Sequence, residues 1–415
     1  MPVVLTSRTG SGSVLRHTYG AVGSETDLQR RGLINGVLLD PYKARVLLRL
    51  LAATGARRED VAATFDQHGR ERSCCRPGSE APCPKQTGHL RWACEVPCLR
   101  SFCDVLFKTI PEWVGSMGMK HVAVVGVGAV GGVVAAGLAS TGRTKVTACV
   151  RSPLGGLRID WPEGMTQEAS VFEEFDPAQV SAVEWVVLAT KAHQTAAVAP
   201  WLDRLCGAGT RVVVLQNGVE HLERVAPLAG AARVLPAVVE IGAESLRRGH
   251  VRLFDRPRIT VPEDDDGAEF AALCRGSGIT VALTGDFVTA SWMKLCLNVA
   301  NGAVTALTMR RMPVFAQPGI AELGRALVEE ARQVAVASGA CLSEDLPDQI
   351  LARLRAMPAE SGSSVLWDRL AGRALEYDAR NGAVVRAGAR LGIPTPYNET
   401  VTALLAAVSG PDDVT

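Results

Sequence analysis

Three residues in the second half of the chain, Lys294, Asn298 and Asn301, are spaced i, i+4 and i+7. At 3.6 residues per turn they share one helix face, within about 20–40° of one another. Asparagine is a poor helix former, so two on one face are not explained by propensity. A lysine with two amides suits a carboxylate and a polar oxygen, and can donate a proton to a carbonyl oxygen that receives hydride. Their spacing fits a solvated polar face equally well. Further on, Ser363-Ser-Val-Leu-Trp-Asp368 precedes Glu376 and Asn381-Gly382. Glu376 could pair with Lys294 or hold a cofactor hydroxyl; the plainer alternative is that Asp368, Arg373 and Glu376 form surface ion pairs of little worth. The sequence has no nucleophile elbow, no plausible serine triad and no HExxH helix, and no metal site is expected.

Such residues need a partner that supplies the hydride, and the stretch His121 to Ser152 has the pattern for one. It runs from an apolar β-branched segment, Val122 to Val125, into Gly126-Val127-Gly128-Ala129-Val130-Gly131, then small residues and a second strand, Val146 to Val150. Strand, glycine turn, helix and strand are the order of a dinucleotide-binding βαβ unit. The first glycine permits the turn, the second lets backbone approach a pyrophosphate, and the third lets the helix pack closely with its N-terminus toward the phosphates. The competing reading is a membrane span, since Val122 to Ala139 is an unbroken apolar run of about bilayer length. The glycines, the strand-to-turn break and the second β-type run argue against it.

Ligands of open α/β sheets lie beyond the carboxyl ends of the strands. Arg151 and Ser152 end the second strand where an NAD-binding protein usually has an acidic residue, so NADPH is the expected cofactor, held there by its 2′-phosphate. Arg151 as an ordinary surface arginine is the alternative. Lys191 follows the strand Trp185 to Thr190, and Asn217 follows the strand Arg211 to Leu215. A strand is expected over Val234 to Ile241, a hairpin over His250 to Val261, and a last strand over Gly276 to Leu283. The passage from Arg151 through Asp160 and Val171 reads as irregular. Beyond Asp286 the period is helical to Val408, with loop signals at Pro318, Pro347, Pro358 to Ser363, and Ile393 to Asn398.

The expected fold class is therefore α/β: a Rossmann-type doubly wound sheet (119–285), then an all-helical C-terminal domain (286–410), preceded by a poorly structured N-terminal extension (1–118). Forty-four basic against 43 acidic residues give a net charge of +1, which points to neither nucleic acid nor an anionic membrane as partner. The front section holds 16 of those basic residues against 11 acidic ones, and six of the 11 cysteines. Residues 1–34 read as disordered and 42–66 as a helical pair, with a DNA-reading helix-turn-helix as its sharper alternative. The cysteines from Cys74 to Cys103 are spaced too irregularly for a usual zinc site. Because Met117 and Met119 stand just before the first strand of the glycine unit, the leading reading of 1–118 is a gene start assigned too far upstream or a dispensable extension.

From about 119 to 410 the chain resembles the ketopantoate reductase family, on several motifs in the right order. These are Gly126-x-Gly128-x-x-Gly131, Arg151, Lys191 in TKAHQT, Asn217 in LQNG, Lys294 with Asn298 and Asn301, Ser364 with Asp368, and Glu376. The resemblance implies NADPH-dependent reduction of 2-dehydropantoate to (R)-pantoate, a step of pantothenate and coenzyme A synthesis. It makes Lys294 the proton donor, Asn298 and Asn301 substrate contacts, Ser364 the group on the substrate carboxylate, and Asn217 a neighbour of both ligands. Lys191 and Glu376 fall at the cofactor, with Arg151 on the 2′-phosphate. A cytoplasmic enzyme with a small 2-oxo acid substrate follows, and a homodimer is the assembly considered. The sequence departs from the family where substrate is read: Ser361 stands where an asparagine is common, the run after Ser364 is Val-Leu-Trp-Asp, and Tyr377-Asp378 follow Glu376. Reduction of another 2-oxo acid and an NADP-sensing regulator are the alternatives.

Overall fold

The computed structural model describes residues 119–411 and two short segments, Val4–Leu5 and Ile34–Asn35, which pair in parallel. The helical pair expected at 42–66 and the cysteines from Cys74 to Cys103 lie outside the described residues, as does the rest of the front section.

Strand β1 (Lys120–Val125) is followed by helix α1 (Ala129–Ser140) and β2 (Thr144–Cys149). Val122 and Val124 enter one core, Ala123 and Val125 the other, so β1 is covered on both faces and reads as continuous apolar sequence. Two strands, β3 (Leu157–Asp160) and β4 (Thr166–Ala169), lie where sequence suggested irregular chain, and β5 (Phe172–Glu174) follows directly after it. They are short and partly polar, which hides the strand period. Then come β6 (Trp185–Leu188), α2 (Ala199–Leu205), β7 (Arg211–Val214), α3 (His221–Val225) and β8 (Arg233–Pro236). Six of these strands form one parallel sheet in the order β5-β2-β1-β6-β7-β8. The order reverses between β1 and β6, which is the topological switch point of a Rossmann sheet.

Two expectations about the later strands are corrected. Val234 to Ile241 is not one strand: β8 ends at Pro236 and β9 (Val238–Glu240) belongs to a different sheet. His250 to Val261 is not a hairpin, because β11 (His250–Leu253) and β12 (Arg258–Pro262) also go to different sheets. The hairpin is instead β10 (Ala243–Arg247) with β11, turned at Arg248-Gly249. Alternation reports which face of a strand is buried, and carries nothing about which sheet receives it. Strand β9 pairs with β12, and β12 with β13 (Thr280–Thr284), while α4 (Asp265–Cys274) lies between the last two in sequence.

The four-stranded sheet β10-β11-β3-β4 explains the membrane-like run. Val251, Leu253, Leu157 and Ile159 share one core with Val133 to Ala136 and Leu138 of α1, so that helix is buried between two sheets and is apolar all round. No helix among the described residues is long and apolar enough to cross a membrane.

The helical part opens with α5 (Phe287–Thr308), capped by the Asp286 carboxylate, which accepts from Thr289 N at 2.9 Å. Around it pack α6 (Pro318–Ala337), α7 (Leu346–Ala356), α8 (Ser364–Leu370), α9 (Ala383–Leu391) and α10 (Pro396–Val408) in a single apolar core. Pro318 and Pro347 are not loop residues: each lies in the first turn of a helix, where the missing N–H costs nothing. Between α8 and α9, Asp378–Gly382 forms a π-helical turn that runs directly into α9.

Candidate active site

The glycine turn has the backbone its sequence demands. Gly126 sits at φ +93°, and a Cβ there would lie 2.6 Å from Thr190 Cγ2; one on Gly131 would lie 2.0 Å from the carbonyl oxygen of Gly126. Gly128, by contrast, faces open space, as a backbone approached by a ligand must. Val127, Ala129 and Val130 complete the turn into α1. At the end of β2, Arg151 is exposed, and Arg248 from the β10–β11 turn donates to Ser152 Oγ. Arg248 was not expected. Nothing in the sequence places that turn beside residue 152, since it depends on the parallel pairing of β11 with β3.

The other expected residues converge from both domains. Lys191 Nζ donates to Asp368 Oδ2 at 2.7 Å and lies 3.6 Å from Glu376 Oε2. Burial alone pushes the Lys191 ammonium down, yet the Glu376 and Asp368 carboxylates outweigh it and hold its pKa above the ordinary lysine range. Glu376, 2% exposed, also accepts from Ala192 N at 3.0 Å and from Asn217 Nδ2 at 3.1 Å. Burial raises a carboxyl's pKa, but here the charges of Lys191 and Arg380 and these hydrogen bonds prevail, and it falls to about 2. Asn298 Nδ2 in turn reaches Asn217 Oδ1 at 3.4 Å, closing a chain from α5 to the sheet.

Two expectations change here. Glu376 pairs with Lys191 and Arg380, not with Lys294. Asp368 and Glu376 are buried, so neither is a surface carboxylate: Glu376 pairs with the buried Arg380, while Asp368 binds Arg373, whose side chain is half exposed. Lys294 is half-buried on the same α5 face as Asn298 and Asn301, and no ion pair or hydrogen bond holds it among the described residues. Burial lowers its pKa, Glu240 opposes this, and Arg380 and Arg353 add to it. The Oδ1 atom of Asn301 is buried without a partner. Ser364 Oγ accepts from Arg380 Nη2 at 2.9 Å. Arg380 is the second residue sequence reading missed; its one signal was the i, i+4 spacing from Glu376. Of the two aromatics near Ser364, Tyr377 packs on the helical core, whereas Trp367 is 36% exposed beneath the Arg311 guanidinium.

A parallel sheet with a glycine turn at its switch point, met by a helix that brings an unpaired ammonium and two amides, defines a two-domain dinucleotide-dependent oxidoreductase. Comparison with known proteins narrows the class. Residues 122–266 match the family model of ketopantoate reductase PanE/ApbA, and residues 286–409 its C-terminal counterpart. The chain belongs to the ketopantoate reductase family. It is 45% identical over 294 residues to the 2-dehydropantoate 2-reductase of Caulobacter vibrioides, covering 70% of this chain and 100% of that one. A PanE/ApbA family ketopantoate reductase from Ralstonia eutropha has a crystal structure 30% identical, with a TM-score of 0.64 over 69% of this chain and 98% of that one. A dimeric ketopantoate reductase from Staphylococcus aureus is 27% identical, with a TM-score of 0.62 over 69% and 98%. Residues 1–65 match a different model, the glutaminase/asparaginase C-terminal domain.

Proposed function

We propose that the chain is an NADPH-dependent 2-dehydropantoate 2-reductase, forming (R)-pantoate for pantothenate and coenzyme A synthesis. The observation that carries the reading is Lys294: a half-buried ammonium with lowered pKa and no ion pair among the described residues, beside Asn298 and Asn301. When bound, NADPH supplies hydride to the substrate's keto carbon. Lys294 donates the matching proton to the keto oxygen, and its depressed pKa brings donor and acceptor closer in proton affinity. Asn298 and Asn301 orient the substrate, with Ser364 at its carboxylate. Asn217 lies between the two ligands, linked to Glu376 on one side and Asn298 on the other. Gly126 to Gly131 suit a pyrophosphate, since Gly128 leaves its approach open. Arg151, with Ser152 and Arg248, suits the 2′-phosphate. Lys191 is held at the cofactor side by Glu376 and Asp368.

The working unit of this reading is residues 119–285 for cofactor and 286–410 for substrate, with 1–118 dispensable. It is a cytoplasmic enzyme, and the dimeric Staphylococcus aureus relative supports a homodimer. Following NADPH absorbance with ketopantoate, pyruvate and 2-oxoisovalerate tests it. Rapid turnover of ketopantoate alone is expected; NADPH binding with no ketopantoate turnover would move the substrate elsewhere.

A further inference from the structure

Arg380 has no role in the scheme above, yet it stands inside the cluster. It is 3% exposed and lies on the π-helical turn after Glu376. Of its five N–H donors, those on Nη2 meet Ser364 Oγ at 2.9 Å and Glu376 Oε2 at 3.5 Å, while Nε is buried without any partner. A guanidinium left short of acceptors in the interior is costly unless something else supplies them. Its charge lowers the pKa of both Lys191 and Lys294, the cofactor-side lysine and the substrate-side one.

The chain also makes room for it. Gly302 lies in the interior of α5, one residue after Asn301, where glycine costs about 0.5–1 kcal/mol relative to alanine. A Cβ at 302 would lie 3.2 Å from Arg380 Nη1 and 3.2 Å from Val365 Cγ2. The charges are unbalanced as well. The connected ion pairs join Lys191, Arg373 and Arg380 to Asp368 and Glu376, three cations against two carboxylates, before Lys294 is added. One more carboxylate would balance the three paired cations.

We propose that Arg380 is the specificity-determining anchor for the substrate carboxylate, its guanidinium forming the charged half of a site in which the Ser364 hydroxyl is the neutral half. It makes the enzyme selective for 2-oxo acids over uncharged 2-oxo compounds of the same shape. This rests on the reductase reading above. A planar fork suits a carboxylate in a way that a hydroxyl alone does not.

The test uses the full chain as wild type, Arg380→Gln and Arg380→Lys, with ketopantoate beside its near-isosteric, neutral carboxamide. In Arg380→Gln, KM for ketopantoate should rise roughly 100-fold, while kcat/KM for the amide changes less than about threefold. NADPH affinity, read by fluorescence titration, should be unchanged. Equal losses for acid and amide, or a loss of NADPH affinity, would overturn the proposal by making Arg380 a merely structural or cofactor-side residue. If the Gln variant does not fold, Arg380→Lys serves: it keeps the charge and loses the fork, and should still shift the acid-to-amide ratio toward the amide. An unchanged ratio counts against the anchor. If wild type turns over no ketopantoate, the functional reading fails separately, and oxamate binding to the NADPH complex decides for Arg380. Binding by wild type that is lost in Arg380→Gln supports the anchor; equal or absent binding in both overturns it.

Discussion

Lys294 differs from the other cations of the site in having no ion pair or hydrogen bond among the described residues. Lys191 is fixed by two carboxylates and its pKa is raised, whereas burial lowers that of Lys294 and Glu240 opposes the fall. In the proposed mechanism the protonated amine is the active form, so turnover should fall as pH rises through the depressed Lys294 pKa, earlier than for an ordinary lysine. Glu240→Gln removes the charge that props that value up and should move the basic limb of the kcat profile further down. Lys294→Ala should lower kcat by about 10²–10⁴-fold with NADPH affinity retained, as expected for a general acid. A Lys294→Ala enzyme within a few-fold of wild type would show that the proton comes from elsewhere. Glu376 follows the opposite sign. Its folded pKa, about 2, lies below the ordinary carboxylate value, so its contribution to stability is complete above the unfolded value and disappears as pH falls toward about 2. Glu376→Gln leaves Lys191 and Arg380 short of a carboxylate and should destabilise by about 3 kcal/mol or more in urea unfolding at neutral pH.

Elements set what was legible in sequence. The glycine turn and the face of Lys294, Asn298 and Asn301 were readable because each lies within a single local element whose period is known. Arg380 was hidden because its role depends on a glycine 78 positions earlier and a serine 16 earlier, on two other helices. The sheets behaved likewise: β11 and β12 were visible as strands, but their assignment to separate sheets is decided by β3 and β9, which are distant in sequence. The run from β1 through α1 imitated a membrane span because both elements are buried between layers, a fact no window of its own residues contains. Gly218 marks where the domains meet. It adopts φ +110°, and a Cβ there would lie 2.6 Å from the Ala379 carbonyl oxygen. Gly218→Ala should therefore cost about 1–3 kcal/mol from backbone strain alone. It should also weaken substrate binding, because the π-helical turn must back away; thermal unfolding and KM measured together check both.

At the scale of the molecule, the two domains are joined by a charged clamp beside the site. Glu220 binds Arg386 at 2.6 Å and Arg224 at 3.0 Å, and Asp378 takes both arginines from the other side. Glu220 is buried, whereas Arg224, Asp378 and Arg386 are partly exposed, and the network matters more than any one pair. Arg386→Met should split a single calorimetric unfolding transition into two and raise KM more than it lowers kcat; one unchanged transition would mean that apolar packing alone couples the domains. The clamp and the site also share the turn Asp378–Gly382, which sends Asp378 to the clamp and Arg380 toward Ser364. A π turn is an α turn with one residue too many. Removing one residue there would restore the α repeat and rotate everything on one side of the deletion by about 100°. Arg380 and Asp378 could not both keep their partners. The side chain at position 380 could therefore be exchanged by a single substitution, but a change in the length of this segment would remake pocket and clamp in a single step.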